Sequence, residues 1–207
     1  MENNKHFPKP VVEELRKALY YSNIRQSPSE AVQHYWDALK AAAEAGLDPM
    51  SDEVLGIAIR LQEFLEEINQ YQKSIDVLEQ LWKHCRTWLD QHPLMEQGSD
   101  MSEDAREALR NRARVLSKAI QIAAKLGMLY GMEMNNKQAE RDRLIWAVDT
   151  LLEHESRGEQ RQNVEHGEEA YRLLLSQEQM MAVYTGTGTL ITKSHNFLAR
   201  APLSISS

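Results

Sequence analysis

Apolar residues recur at three- and four-residue steps along most of this chain, and polar residues fill the positions between them. The clearest run is Ser51–Trp82, where Val54, Leu55, Ala58, Leu61, Leu65 and Ile68 form one stripe of a 3.6-residue helix. Asn69-Gln70 interrupts it, and Tyr71, Ile75, Leu78, Leu81 and Trp82 rebuild the stripe on a second helix. Upstream, Val12, Leu15, Ala18 and Leu19 mark one helix, and Ala31, Tyr35 and Ala38 another. Downstream, the pattern predicts a long helix from about Glu103 to Met132 and a sixth from Gln138 to about Glu153, carrying Leu144, Ala147, Val148 and Leu151. No alternating run suggests a strand before residue 183. The expected fold is all-α.

Breakers and caps divide these segments into three pairs. Pro8 and Pro10 open the first helix, and Ser27-Pro28-Ser29-Glu30 reads as a capping box with proline in the first turn. Gly46 and Asp48-Pro49 close the second helix, Ser51 caps the third, and His92-Pro93 ends the fourth. Ser102 or Asp100 opens the fifth helix, and Met134-Asn135-Asn136 turns the chain into the sixth. The predicted layout is a disordered leader over 1–10 and a helical array over 11–155, with pairs at about 11–45, 51–91 and 103–154. A polar linker, a further helix over about 168–184 and an irregular tail fill 156–207.

The order of residue sizes narrows the fold further. Tyr71, Ser74, Leu78 and Leu81 follow the second-helix rhythm of a tetratricopeptide (TPR) unit, with the small residue where two helices approach most closely. Ala31, Tyr35 and Ala38 repeat it, and Leu126-Gly127-Met128-Leu129-Tyr130 matches Leu-Gly-x-x-Tyr, the most specific part of a TPR first helix. The first-helix small position falls at 18, 62 and 127. The intervals of 44 and 65 residues exceed the roughly 34 of a standard repeat, and Gln62 is not small. The fold expected is a degenerate TPR-like α-solenoid of antiparallel helix pairs. In that register the concave face carries Leu19, Ser22 and Asn23, then Ile59, Glu63 and Glu66, then Met128 and Met132. The plain alternative makes Leu19, Ile59 and Met128 core residues.

Charge and composition remove whole classes of function. The net charge is −7 with acids and bases interleaved along the helices, which argues against the basic stripe of a nucleic-acid binder. No apolar run reaches the ~20 residues a membrane helix needs, and MENNKHFPKP has neither a signal-peptide core nor an Arg/Ser-rich presequence. Cys85 is the sole cysteine, so no internal disulfide forms, and its place beside Trp82 and Trp88 suggests a small core residue.

Candidate chemistry is thin. His84, Cys85 and His92 invite a metal, but His84 points away from the face the other two share. His154-Glu155 lacks the second histidine of a zinc protease motif because Gly158 stands there. Gly186-Thr187-Gly188 lacks a third glycine at Ile191, and no Gly-Lys-Ser/Thr occurs. Glu66-Glu67 and Glu168-Glu169 read as solvated helical acids rather than a general acid/base pair. The expectation is a non-enzymatic protein without cofactor or metal.

Three stretches carry a resemblance to one family: LRKALYYSN (15–23), SPSEAVQHYWDALKAAAEAGLDPMSDEVLGIAIRLQEFLE (27–66) and AAKLGMLYGME (123–133). The most particular piece is the linker and helix start GLDPMSDEVLGI over 46–57. Together they resemble the TPR-containing substrate-adaptor subunit of the fungal mitochondrial inner-membrane i-AAA protease supercomplex, over about residues 11–155. The resemblance implies a mitochondrial inner-membrane protein whose TPR domain faces the intermembrane space. There it would bind unfolded or unassembled membrane-protein clients and present them to the protease subunits. The chain read here would be a truncated form without presequence or membrane anchor. A scaffold that joins protein partners without handling clients is the second reading. Recovery of the protease together with unassembled inner-membrane proteins, on affinity purification of a tagged full-length form from mitochondria, separates the two classes in favour of the adaptor.

Overall fold

The computed structural model describes residues 7–93 and 102–159, with side chains described through residue 154. Six helices follow in order: α1 (Lys9–Asn23), α2 (Pro28–Glu44), α3 (Asp52–Glu67), α4 (Tyr71–Gln91), α5 (Glu103–Met132) and α6 (Lys137–Glu159). Among the described residues there is no strand. The expected all-α helical array is therefore the observed class. The chain divides into two compact units, one built on α1–α4 with residues 132–135 and the other on α5 up to Gly131 and α6.

Three helix starts, those of α3, α5 and α6, have side chains that satisfy orphan backbone donors. Ser51 Oγ accepts from Val54 N–H at 3.3 Å, Ser102 Oγ from Ala105 N–H at 3.3 Å, and Asn136 Oδ1 from Ala139 N–H at 3.1 Å. The expected capping box at Ser27 does not form. Ser27 has extended backbone at the N-cap but makes no side-chain cap bond. Pro28 fixes the φ of the first turn instead, and the Ser27 carbonyl accepts from Ala31 N–H at 3.0 Å. Helix α1 begins at Lys9, inside the segment expected as leader, and residues 1–6 lie outside the described residues. At the other end α6 continues through Glu159, into the segment expected to be linker. The expected helix over 168–184 and the tail lie outside the described residues.

Each described joint turns on one residue with positive φ: Gln26 (49°), Gly46 (73°), Asn69 (57°) and Asn135 (49°). Glycine and asparagine tolerate this region best. The reversal lets later amides return to carbonyls of the preceding helix, as in Leu47 N–H to Ala42 O at 3.1 Å and Gln70 N–H to Leu65 O at 2.8 Å.

In the first unit neighbouring helices pack in order, α1 on α2, α2 on α3 and α3 on α4. Val11 and Ala18 of α1 are fully buried, as are Ala31, Tyr35, Ala38 and Ala42 of α2. The Tyr35 and Phe64 rings, 6.0 Å apart, tie α2 to α3. Helix α3 has neighbours on two sides and buries Leu55, Ile57, Ala58, Leu61, Gln62, Phe64 and Leu65. That is wider than one amphipathic stripe, because two packing partners need two faces. On α4, Ser74, Ile75, Val77, Leu78, Leu81, Trp82, Cys85 and Leu89 are buried. Cys85 is a core residue, as its position between tryptophans suggested.

The close-approach positions differ between pairs. On α1 the position holds Ala18, fully buried. On α3 it holds Gln62, also buried, whose amide donates to Ser74 Oγ across the pair at 3.2 Å and to the Glu66 carboxylate. On α5 it holds Gly127, where a Cβ would lie 2.5 Å from Leu144 Cγ and 3.2 Å from the Glu140 carbonyl oxygen of α6. One turn on, a Cβ at Gly131 would run into the Glu140 carboxylate, which pairs with Lys137 at 2.9 Å.

Candidate functional site

The register that buries Ala18, Gln62 and Gly127 also fixes where their neighbours go. A residue one step along an α-helix points about 100° away, so the side chain after each close-packed position leaves the interface. On α1 this is Leu19, 44% exposed, followed by half-buried Ser22 and exposed Asn23. Ser22 Oγ donates back to the Leu19 carbonyl at 3.2 Å. On α5 it is Met128, 46% exposed, followed one turn on by Met132, 75% exposed. These residues are surface, not core. The alternative that makes Leu19, Ile59 and Met128 core fails at Leu19 and Met128, while Ile59 is half-buried.

The α3 set behaves differently. Ile59 is half-buried, Glu63 is exposed and Glu66 is half-buried. Arg60 donates to Glu63 at 3.2 Å and to Glu67 at 3.1 Å. Partial burial alone would lower the Arg60 pKa, but these two hydrogen bonds outweigh it and raise it above its ordinary value. Glu66 accepts from Gln62, and Ser74 Oγ donates to it at 3.4 Å. Glu63, Glu66 and Glu67 are thus committed to partners within their own helix pair. The apolar candidates that stay exposed are Leu19 on α1 and Met128 and Met132 on α5. Each set lies on one helix within one or two turns.

A polar cluster between α1 and α2 was absent from the sequence reading. Glu14 Oε2 lies 2.7 Å from His34 Nδ1, and Glu14 Oε1 accepts from Lys17 Nζ at 2.6 Å. The Lys17 hydrogen bond, with help from His34, holds the Glu14 carboxyl below its ordinary pKa against the opposing effect of burial. Tyr21 stacks on the His34 ring at 5.3 Å with 10° between planes. Asp37 accepts from Gln33 Nε2 at 3.1 Å. Glu14, His34 and Asp37 bring their ligand atoms within 4.8 Å of one another. The available signal was His34 and Asp37 at i and i+3, which share a helix face.

The metal trio considered from sequence is not assembled. His84 is exposed, Cys85 is fully buried, and exposed His92 stacks on Trp88 at 4.0 Å with its Nδ1 2.8 Å from the Trp88 carbonyl oxygen. Among the described residues, no helix is long and apolar enough to cross a membrane.

No family model matches the chain, and no solved structure matches it. A protein of Saccharomyces cerevisiae (strain ATCC 204508 / S288c) described as "Protein MRG3-like" is 35% identical over 68 residues. That stretch is 31% of this chain and 14% of the yeast protein, so the chain matches only a small part of its relative.

Proposed function

We propose that this chain is a non-enzymatic protein-binding adaptor that recruits unfolded or unassembled membrane-protein substrates to a mitochondrial i-AAA protease. One observation carries the reading. The side chains that follow the close-packed positions on α1 and α5 are large, apolar and exposed: Leu19, Met128 and Met132. Exposed apolar side chains on helices that already have a buried face are available to a partner. Methionine is flexible and polarizable, so paired exposed methionines suit clients of variable sequence. With Glu63, Glu66 and Glu67 committed to their own pair, recognition on this reading is apolar rather than ionic. The resemblance of residues 15–23, 27–66 and 123–133 supports the same reading, and with it we propose an inner-membrane location facing the intermembrane space.

The test is binding of an unfolded membrane-protein segment to wild type and to a Met128→Asp/Met132→Asp variant with unchanged circular dichroism. Both positions are solvent-exposed, so the variant is expected to fold. At least ten-fold weaker binding is expected. Equal affinity removes the α5 face and leaves the scaffold reading ahead.

A further inference from the structure

We propose that Glu14, His34 and Asp37 form a binding site for a divalent transition-metal ion of the zinc type, stapling α1 to α2. The three donors come from two helices and approach within 4.8 Å of one another. Zinc binds imidazole nitrogen and carboxylate oxygen at about 2.0–2.2 Å, which places neighbouring ligands roughly 3–3.5 Å apart. His34 and Asp37, at i and i+3, already share one face of α2, and α1 supplies the third donor opposite.

The surroundings orient the ligands. Tyr21 stacks on the imidazole and restrains its plane. Lys17 holds Oε1 of Glu14, leaving Oε2 as the oxygen 2.7 Å from His34 Nδ1. Gln33, one turn back on the same helix, holds Oδ1 of Asp37. Such outer partners fix ligand rotamers in metal sites and are worth about 10–100-fold in affinity. The donor set also selects the ion. One imidazole and two carboxylates suit zinc, cobalt, nickel or copper, whereas magnesium and calcium favour an all-oxygen shell. Two carboxylates balance a double positive charge, and a water completes four-coordination. Lys17 is the internal competitor, since its ammonium already answers part of the Glu14 charge. The site is therefore expected to bind more weakly than a four-cysteine structural zinc site.

The experiment is calorimetric titration of the purified chain with Zn²⁺, together with Co²⁺ titration followed by visible absorption. Saturable binding of one equivalent is expected, with intense Co²⁺ bands of tetrahedral geometry and a raised thermal midpoint. His34→Ala and Asp37→Asn are each expected to weaken binding at least ten-fold. His84→Ala, an exposed histidine elsewhere, should leave it unchanged. Should His34→Ala fail to fold, Asp37→Asn carries the comparison. Absence of saturable binding overturns the site and reduces the cluster to a Glu–His–Lys ion-pair network. Binding unchanged by Asp37→Asn, or removed by His84→Ala, overturns it as well.

Discussion

The α3/α4 and α5/α6 pairs solve the same geometric problem in opposite ways. Both need a first-helix residue that lets the second helix come close. On α5 the answer is subtraction: Gly127 has no side chain, and Leu144 and the Glu140 carbonyl occupy the space. On α3 the answer is substitution: Gln62 keeps a long side chain but joins it to Ser74 and Glu66. The glycine pair gains van der Waals contact between backbone and leucine. The glutamine pair gains a buried hydrogen bond, at the cost of desolvating an amide that must stay paired. A repeat position is thus defined by the space between helices rather than by residue size.

The comparison breaks most readily at Gly127. Gly127→Leu is expected to cost ~1–3 kcal/mol by overpacking, read as a lower denaturation midpoint. Gly127→Ala is informative because alanine favours helix by ~1 kcal/mol over glycine. A net loss of stability despite that gain would confirm that Leu144 and Glu140 fill the site. Next in size, Gln62→Leu is expected to cost ~1–3 kcal/mol, because Ser74 Oγ and Glu66 both lose the Gln62 amide as donor and keep only each other. Adding Ser74→Ala should recover most of that loss, since removing both partners of a buried bond approaches neutrality. A double-mutant cycle showing simple additivity would mean the Gln62–Ser74 bond carries no coupling. The smallest effect tests what the pairs share. Asn69→Ala and Asn135→Ala each force a less tolerant residue into positive φ and should cost roughly 0.5–1 kcal/mol. Similar costs would show that the turns are alike while the interfaces are not.

The helices were legible because punctuation and periodicity agree. Gly46, Asn69-Gln70 and Asn135 were read as breaks, and each is a joint with positive φ. Buried Ile57, Phe64 and Val77 escaped because a single stripe was sought on helices that bury more than one face. Gln62 was visible as a departure from the TPR pattern, but its partner Ser74 sits 12 residues away and needs the packing register. The candidate face was half-legible. Spacing placed Leu19 and Met128 next to close-packed positions without deciding between groove and core, since both lie on helix faces. The Glu14–His34 contact was out of reach, because two residues 20 apart meet only when α1 is set against α2.

The four joints have a consequence in time as well as space. Each positive-φ residue sits in a connection of only a few residues, so packing partners on consecutive helices are close in sequence. Closing such short loops costs little entropy, and contacts of this kind lower the contact order. Helical chains of low contact order fold in roughly microseconds to milliseconds. A hairpin of this type can assemble before the next one is complete, and each new helix adds to an edge already formed. During synthesis α1 and α2 are therefore in a position to pair while α3 is still emerging, with Tyr35 waiting for Phe64 to cover it.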